Sequence, residues 1–121
     1  MNTREKGRIG EKRAEAYLKK NNYKIIEKNY YTRWGEIDLV AFDKDSKEMV
    51  FVEVKMRKSK SLGYPEEAVN EKKMEKLAMA GEIYWEQKKQ SGNYRFDCVA
   101  IIGDQNDKEV AIKHYKNIGL N

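Results

Sequence analysis

Two carboxylates and a lysine stand on two strand-like stretches that are otherwise mostly apolar. Asp38 lies in the stretch 36–41, and Glu53 and Lys55 lie in the stretch 50–55. Strand side chains alternate between two faces, so Glu53 and Lys55 share one face of their strand. Burying charged groups is costly unless something compensates them. Carboxylate oxygens beside a lysine are groups that bind a divalent cation and a phosphodiester, so this spacing indicates that chemistry.

The polar link between the two stretches, residues 43–48, predicts a hairpin because it is rich in turn-tolerant residues. With the turn centred between residues 45 and 46, the apolar face pairs Ile37 with Val54, Leu39 with Val52 and Ala41 with Val50. The other face then pairs Asp38 with Glu53 and Glu36 with Lys55. Like charges placed opposite each other, with Cβ atoms about 4.5–5.5 Å apart, destabilise a sheet unless a cation separates them. A shift by two residues would keep the same faces, so the exact pairing is a hypothesis.

Length and composition limit the class of protein. A chain of 121 residues, 40% hydrophobic and 37% charged, predicts one domain spanning 1–121. The net charge of +5 favours polyanionic partners without proving them. One cysteine, Cys98, excludes an internal disulfide and is expected to be buried, and one histidine, His114, excludes a multi-histidine metal site. No apolar stretch is long enough for a membrane span or a signal peptide, which predicts a cytoplasmic protein.

Hydrophobic periodicity predicts the element order αβββαββ, an α/β fold with a mixed five-stranded sheet flanked by helices. Helices are expected over residues 3–21 and 65–89, and strands over residues 23–31, 36–41, 49–55, 94–102 and 109–115. Thr3 can cap the first helix, and Pro65 suits the first turn of the second. The apolar stripes of the helices are Ile9, Ala14, Tyr17 and Leu18 in the first, and Val69, Met74, Leu77, Ala78, Gly81, Tyr84 and Trp85 in the second.

Five segments taken together resemble the YraN-like family (UPF0102), an uncharacterised group in the PD-(D/E)xK nuclease superfamily. The chain is also similar, more distantly, to archaeal Holliday-junction resolvases. The segments are residues 7–14, residues 35–40, residues 50–55 with Arg57, residues 63–69 with Lys72, and Arg95-Phe-Asp97. Ile37 stands where the superfamily's motif has proline before the aspartate. The resemblance implies a restriction-endonuclease-like fold.

The resemblance also implies roles for five residues. Asp38 and Glu53 would bind the metal, the backbone carbonyl of Val54 could join them, and Glu11 would be an additional acid from the first helix. Lys55 would be the catalytic lysine. Mg²⁺, with Mn²⁺ as a substitute, takes the oxygen ligands that these groups offer. Lys55 lies about 6.6 Å along the strand from Glu53 and can position water or stabilise charge. Its role as a base is less secure, because a free lysine has a pKa of about 10.4.

Each of these residues also has an ordinary structural explanation. Asp38 and Glu53 could be exposed strand residues paired with lysines, and Glu11 could be a solvated helix residue. Lys55 could form a salt bridge with Glu36, which could instead be an accessory ligand.

Basic and aromatic residues around the motif form a candidate nucleic-acid surface. They are Arg33, Trp34, Arg57, Lys58, Lys60, Lys72, Lys73 and Lys76. Lys72 and Lys76 are one helical turn apart and can face the same groove. The set could equally be a solubilising surface. Asp97 is at least as well explained by an ion pair with Arg95 as by a catalytic role, and His114 is expected to be an ordinary strand residue.

The resemblance favours a Mg²⁺-dependent DNA endonuclease, with branched or damaged DNA as candidate substrates. The alternative is a nucleic-acid-binding protein that keeps the fold without turnover, and a third class is a protein-interaction domain. Intact Asp38, Glu53 and Lys55 favour the enzyme. The sequence leaves open DNA versus RNA, one or two metal ions, and a homodimer, which symmetrical cutting of two strands would need.

Overall fold

A computed structural model describes residues 3–57, 71–103 and 111–119, and its elements follow the predicted order αβββαββ. The helices are α1 (Thr3–Lys20) and α2 (Glu71–Gln87). The strands are β1 (Tyr23–Thr32), β2 (Gly35–Asp43), β3 (Glu48–Arg57), β4 (Tyr94–Ile102) and β5 (Ala111–Tyr115). They form one sheet in the order β1-β2-β3-β4-β5, in which β3 and β4 are parallel and the other neighbours antiparallel. The predicted α/β class and mixed five-stranded sheet are confirmed.

The predicted elements agree with the observed ones to within two residues wherever the structure describes them. The bounds of β4 agree at both ends. The predicted start of the second helix at Pro65, its stripe residue Val69 and the first two residues of the fifth strand lie outside the described residues. Cys98 is buried, as predicted, and burial raises its pKa to about 12. In the part of the chain that the structure describes, neither helix is long and apolar enough to cross a bilayer.

Each helix packs on one face of the sheet. Ala14 and Leu18 of α1 pack against alternate residues of β2 and β3, including Leu39 and Val52. On the other face, the residues that α2 buries against Val40 and Phe51 are Met74, Leu77, Ala80 and Tyr84. The stripe prediction was wrong at Ala78, which is only half-buried, and it omitted Ala80. Gly81 allows the close approach of α2, because a Cβ there would lie 2.8 Å from the Phe96 ring.

The predicted β2–β3 register is confirmed from residue 39 onward, since Leu39 pairs with Val52 and Ala41 with Val50. The prediction for Ile37 was wrong. Ile37 packs in the α2 cluster with Val40, three residues away, instead of sharing the α1 face with Leu39. The alternation of faces is therefore interrupted at residue 38. The regular β2–β3 register ends at the pair Leu39–Val52. Beyond it, the Asp38 side chain accepts a hydrogen bond from the backbone N–H of Val54.

A buried polar network joins α1 to β4 and β5. Asp97 is fully buried and accepts two hydrogen bonds from Arg95, at 3.0 and 3.1 Å, so the expected ion pair is confirmed. Asp97 also contacts His114 Nε2 at 2.7 Å, and His114 Nδ1 lies 3.1 Å from the Tyr17 hydroxyl. His114 is a residue of the late strand β5, as predicted, and its contacts with Tyr17 and Asp97 are structural. The network fixes the C-terminal half of α1 on the sheet.

Candidate active site

Three carboxylates converge where α1 passes the start of β2. Glu11 comes from α1, and Glu36 and Asp38 come from β2. One carboxylate oxygen from each lies within 4.8 Å of the others, and all three side chains are half-buried. Glu36 and Asp38 can both reach this position because the alternation of β2 is interrupted between them and Leu39. Three clustered oxygen donors are a set that suits a hard divalent cation.

Asn29 of β1 holds two of these carboxylates in place. Its backbone has φ of 52°, in the left-handed region that asparagine tolerates better than most residues. From this position Nδ2 donates to Glu11 Oε1 at 2.9 Å and also to Glu36 Oε1. Sequence reasoning missed Asn29. The signal that could have found it is an asparagine within a strand, where asparagine is depleted.

Asp38 is surrounded by the carboxylates of Glu11, Glu36 and Glu53, whose charges all act on it. Its Oδ2 accepts a hydrogen bond of 2.8 Å from the N–H of Val54. Burial, followed by the charge of Glu53 and smaller effects of Glu36 and Glu11, raises the pKa of Asp38 to about 7 despite the hydrogen bond from Val54. The charge of Glu53 contributes to this shift, but the regular register ends at Leu39 and Val52, so the direct pairing of Asp38 with Glu53 stays a prediction.

Glu53 is 5% exposed and binds two lysines. Its Oε1 lies 2.8 Å from Lys73 Nζ of α2 and 3.4 Å from Lys55 Nζ of β3. Lys55 thus pairs with Glu53, and the alternative pairing with Glu36 was wrong, because Glu36 turns towards Asn29. Glu53 thus anchors both ammonium groups, and its role as a metal ligand stays a prediction.

The two lysines differ in how the site shifts their pKa values. Burial, with added repulsion from Lys73, lowers the pKa of Lys55, and this outweighs the attraction of Glu53. For Lys73, burial acts in the same direction, but the contact with Glu53 outweighs it and the pKa rises. Lys73 stays charged, whereas Lys55 releases its proton more readily than a free lysine.

The other basic candidates are distributed around this centre. Lys76 lines a cleft of about 100 Å³ together with Trp34, Glu53 and Lys73. The Arg33 guanidinium lies over the Trp34 ring, 5.5 Å from its centroid. Lys72 is exposed on α2. Of the three helix lysines predicted to bind nucleic acid, Lys73 is the one that contacts Glu53. Arg57 ends β3, and Lys58 and Lys60 lie outside the described residues.

The repulsion around Asp38 predicts a specific dependence of stability on pH. Because the folded protein holds the Asp38 proton more tightly than the unfolded chain, the free energy of unfolding should fall as pH rises from about 4 to about 7. Asp38→Asn keeps an acceptor for the Val54 N–H and removes the charge. We expect the variant to exceed the wild type in free energy of unfolding by about 1 kcal/mol or more at pH 8, and by much less at pH 5.

Urea denaturation of both proteins at the two pH values, in the presence of a chelator, measures this difference. The exposed Glu82 of α2 offers a control, since Glu82→Gln removes a carboxylate charge at the surface. A wild type as stable as Asp38→Asn at pH 8 would contradict the electrostatic description of the site.

The role of Asn29 can be tested with Asn29→Gly, because glycine keeps the left-handed backbone and removes only the amide. The hydrogen bond from Asn29 lowers the pKa of Glu11, whereas burial and the charge of Glu36 raise it, and burial is the largest effect. We therefore expect the pKa of Glu11, followed by carbon-13 NMR of the carboxyl group, to rise further in the variant. Glu15 serves as the control, since Lys19 and Lys28 hold its pKa low. An unchanged Glu11 pKa would show that Asn29 does not position it.

Comparison with known proteins identifies the family. A family model described as uncharacterised protein family UPF0102 matches residues 10–101. A UPF0102 protein of Fusobacterium nucleatum is 43% identical over 108 residues, which cover 88% of this chain and 89% of the relative. A UPF0102 protein of Carboxydothermus hydrogenoformans is 42% identical over 122 residues, which cover 98% of both chains. The similarity spans both the carboxylate cluster and the lysines of the site, and the chain belongs to family UPF0102.

Proposed function

We propose that this protein is a divalent-cation-dependent nuclease that hydrolyses phosphodiester bonds in DNA. The observation that carries the proposal is the convergence of Glu11, Glu36 and Asp38 beside a buried glutamate, Glu53, that binds two lysines. Acidic oxygens and ammonium groups in one place suit a reaction between water and a phosphodiester. The preference for DNA rests on the resemblance to PD-(D/E)xK nucleases described above.

The carboxylate cluster fits Mg²⁺ by its donor chemistry. Mg²⁺ is bound by one or two carboxylates together with water and substrate phosphate, and Mn²⁺ accepts similar ligands. Glu11, Glu36 and Asp38 would hold the ion, and Glu53 and the carbonyl of Val54 remain further candidate ligands. When bound, the cation polarises the phosphoryl group and lowers the pKa of a coordinated water. It would also offset the repulsion that raises the pKa of Asp38.

Lys55 and Lys73 would have different roles in the reaction. Lys73 keeps its positive charge next to Glu53, so it can bind a non-bridging oxygen of the phosphate throughout the reaction. Lys55 has a lowered pKa, which suits it to orient the attacking water and to exchange a proton with it or with the leaving oxygen. Glu53 fixes the separation of the two ammonium groups, and this explains why a buried carboxylate is retained on β3.

The protein scaffold positions these groups before substrate arrives. Asn29 orients Glu11 and Glu36 through one side-chain amide, and the backbone N–H of Val54 orients Asp38. Such preorganisation lets charged groups act without reorganising during the reaction. The exposed Arg33, Lys72 and Lys76 are available for flanking phosphates, which predicts binding that weakens as salt increases.

A cleavage assay tests the proposal. We expect the wild type to cut plasmid or branched DNA with Mg²⁺ or Mn²⁺ and to stop when a chelator is added. Removing one group that stabilises the transition state costs roughly 100- to 1000-fold in rate, so Asp38→Asn, Glu53→Gln and Lys55→Met should each lose at least that much. Glu82→Gln, which alters an exposed helix residue, should cut at the wild-type rate.

Two results would decide against the proposal. Cleavage that survives in Asp38→Asn and Glu53→Gln would show that the activity lies elsewhere or comes from a contaminant. Binding of DNA by the wild type, with no cleavage of any DNA or RNA in either metal, would favour the non-catalytic alternative. The observation that favours this alternative is that Glu53 is already neutralised by Lys55 and Lys73.

A further inference from the structure

Two exposed aromatic side chains flank the candidate active site, and both belong to the β1–β2 turn (residues 31–35). Tyr31 is 74% exposed and Trp34 is 36% exposed. Elsewhere, Phe51 and Tyr84 pack against each other in the core, and Tyr94 is 38% exposed but packs against Trp85 and Phe96. Single exposed aromatic residues are common on protein surfaces, so the significance of these two lies in the polar site that they flank.

Tyr31 lies next to the carboxylate cluster. It pairs with Glu36 across the β1–β2 hairpin, so the two side chains are neighbours on one face. Tyr31 also lines a cavity of about 400 Å³ together with Glu11, Asn29 and Glu36. A ring that stacked on Tyr31 would therefore lie next to the proposed cation ligands.

Trp34 stands on the side of the two lysines. It borders the cleft that contains Glu53, Lys73 and Lys76. Arg33, the other central residue of the turn, lies over the indole with its guanidinium 5.5 Å from the ring centroid. The cleft thus combines an aromatic surface and two lysines with the carboxylates of Glu36 and Glu53, and Arg33 adds a positive charge next to Trp34. Aromatic and basic groups occur together where proteins bind bases with their phosphates.

Hydrogen bonds define the backbone conformation of the turn that carries the two rings. Thr32 and Gly35 pair across the hairpin, and the Thr32 hydroxyl donates to the Gly35 carbonyl at 2.8 Å and accepts the Trp34 N–H at 3.1 Å. Gly35 has φ of 134°, which a side chain would make costly. A ligand that stacks on such a turn loses little affinity to ordering of the protein.

We propose that the β1–β2 turn stacks on unpaired nucleobases, so that the preferred substrate carries nucleotides outside a continuous duplex beside the bond that is cut. The inference rests on the proposed nuclease function and specifies its substrate class. In a continuous duplex the faces of each base are covered by its neighbours, which leaves an exposed Tyr31 and Trp34 nothing to stack on. At a flap, a branch point or a single strand the base faces are open, and stacking on them is tolerant of sequence.

Fluorescence anisotropy tests the substrate class, with Ca²⁺ in place of Mg²⁺ and two DNA probes: a blunt duplex, and the same duplex carrying a short unpaired flap. We expect the wild type to bind the flap DNA more tightly by roughly 5- to 100-fold, the range that stacked bases contribute. In a Tyr31→Leu/Trp34→Leu double variant the ratio of the two affinities should fall to about one. A Tyr31→Phe/Trp34→Phe double variant keeps both aromatic faces and should keep the preference.

A second readout reports stacking itself. With 2-aminopurine as the first unpaired base of the flap, the wild type and the phenylalanine variant should change its fluorescence, and the leucine variant should not. Circular dichroism and thermal melting of both variants establish that they are folded, since both rings are exposed and their loss leaves the core intact.

The outcomes separate the two proposals. If the wild type cleaves DNA with Mg²⁺ but binds flap and duplex equally, or if the leucine variant keeps the preference, stacking is overturned and the nuclease function stands. If the wild type neither binds nor cleaves any nucleic acid, both proposals fail. If the leucine variant loses self-association in sedimentation and its DNA preference is unchanged, the turn is a protein contact and the stacking proposal is overturned.

Discussion

Asp38 accepts a hydrogen bond from the Val54 N–H at the point where the regular β2–β3 register ends, and other carboxylates surround it. This concentration of like charge in a half-buried space is unfavourable for folding, and it raises the pKa of Asp38 to about 7. The surrounding structure offsets the repulsion with groups of opposite polarity. Asn29 donates to Glu11 and Glu36, and Glu53 is held by ammonium groups. Such a cluster costs folding stability, which is consistent with the proposed role in binding a cation.

The rest of the molecule brings the carboxylates, the lysines and Asn29 of the site together from five elements. The first helix delivers Glu11, and the buried network from Tyr17 through His114 to Asp97 fixes that helix on the sheet. The second helix delivers Lys73 from the opposite face, and Gly81 lets it approach closely. The sheet supplies the other groups from β1, β2 and β3. The arrangement explains why polar networks and a close helix contact occur far from the cluster itself.

Much of this arrangement could be predicted from the sequence, because the alternation of apolar residues along a strand shows which side chains share a face of the sheet. The register through Leu39 and Val52 follows from alternation by two, and the bounds of β4 follow from the turn residues that flank it. What could not be predicted depends on departures from regularity. Ile37 changes face because the alternation is interrupted beside it, and Asn29 acts through a left-handed backbone that no pattern of polarity reveals. Lys73, rather than Lys72, reaches Glu53 because of the rotation of α2, which depends on packing around Gly81.

The proposed nuclease function requires that the carboxylate cluster of Glu11, Glu36 and Asp38 binds a divalent cation. Electron paramagnetic resonance of Mn²⁺ measures this directly, since the free ion gives a signal that weakens when it binds. We expect the wild-type protein to deplete the free Mn²⁺ signal and Mg²⁺ to compete for the site. Asp38→Asn and Glu11→Gln should lose most of this binding, whereas Glu82→Gln should retain it. Mn²⁺ binding that is absent in the wild type, or equal in Asp38→Asn, would contradict the account.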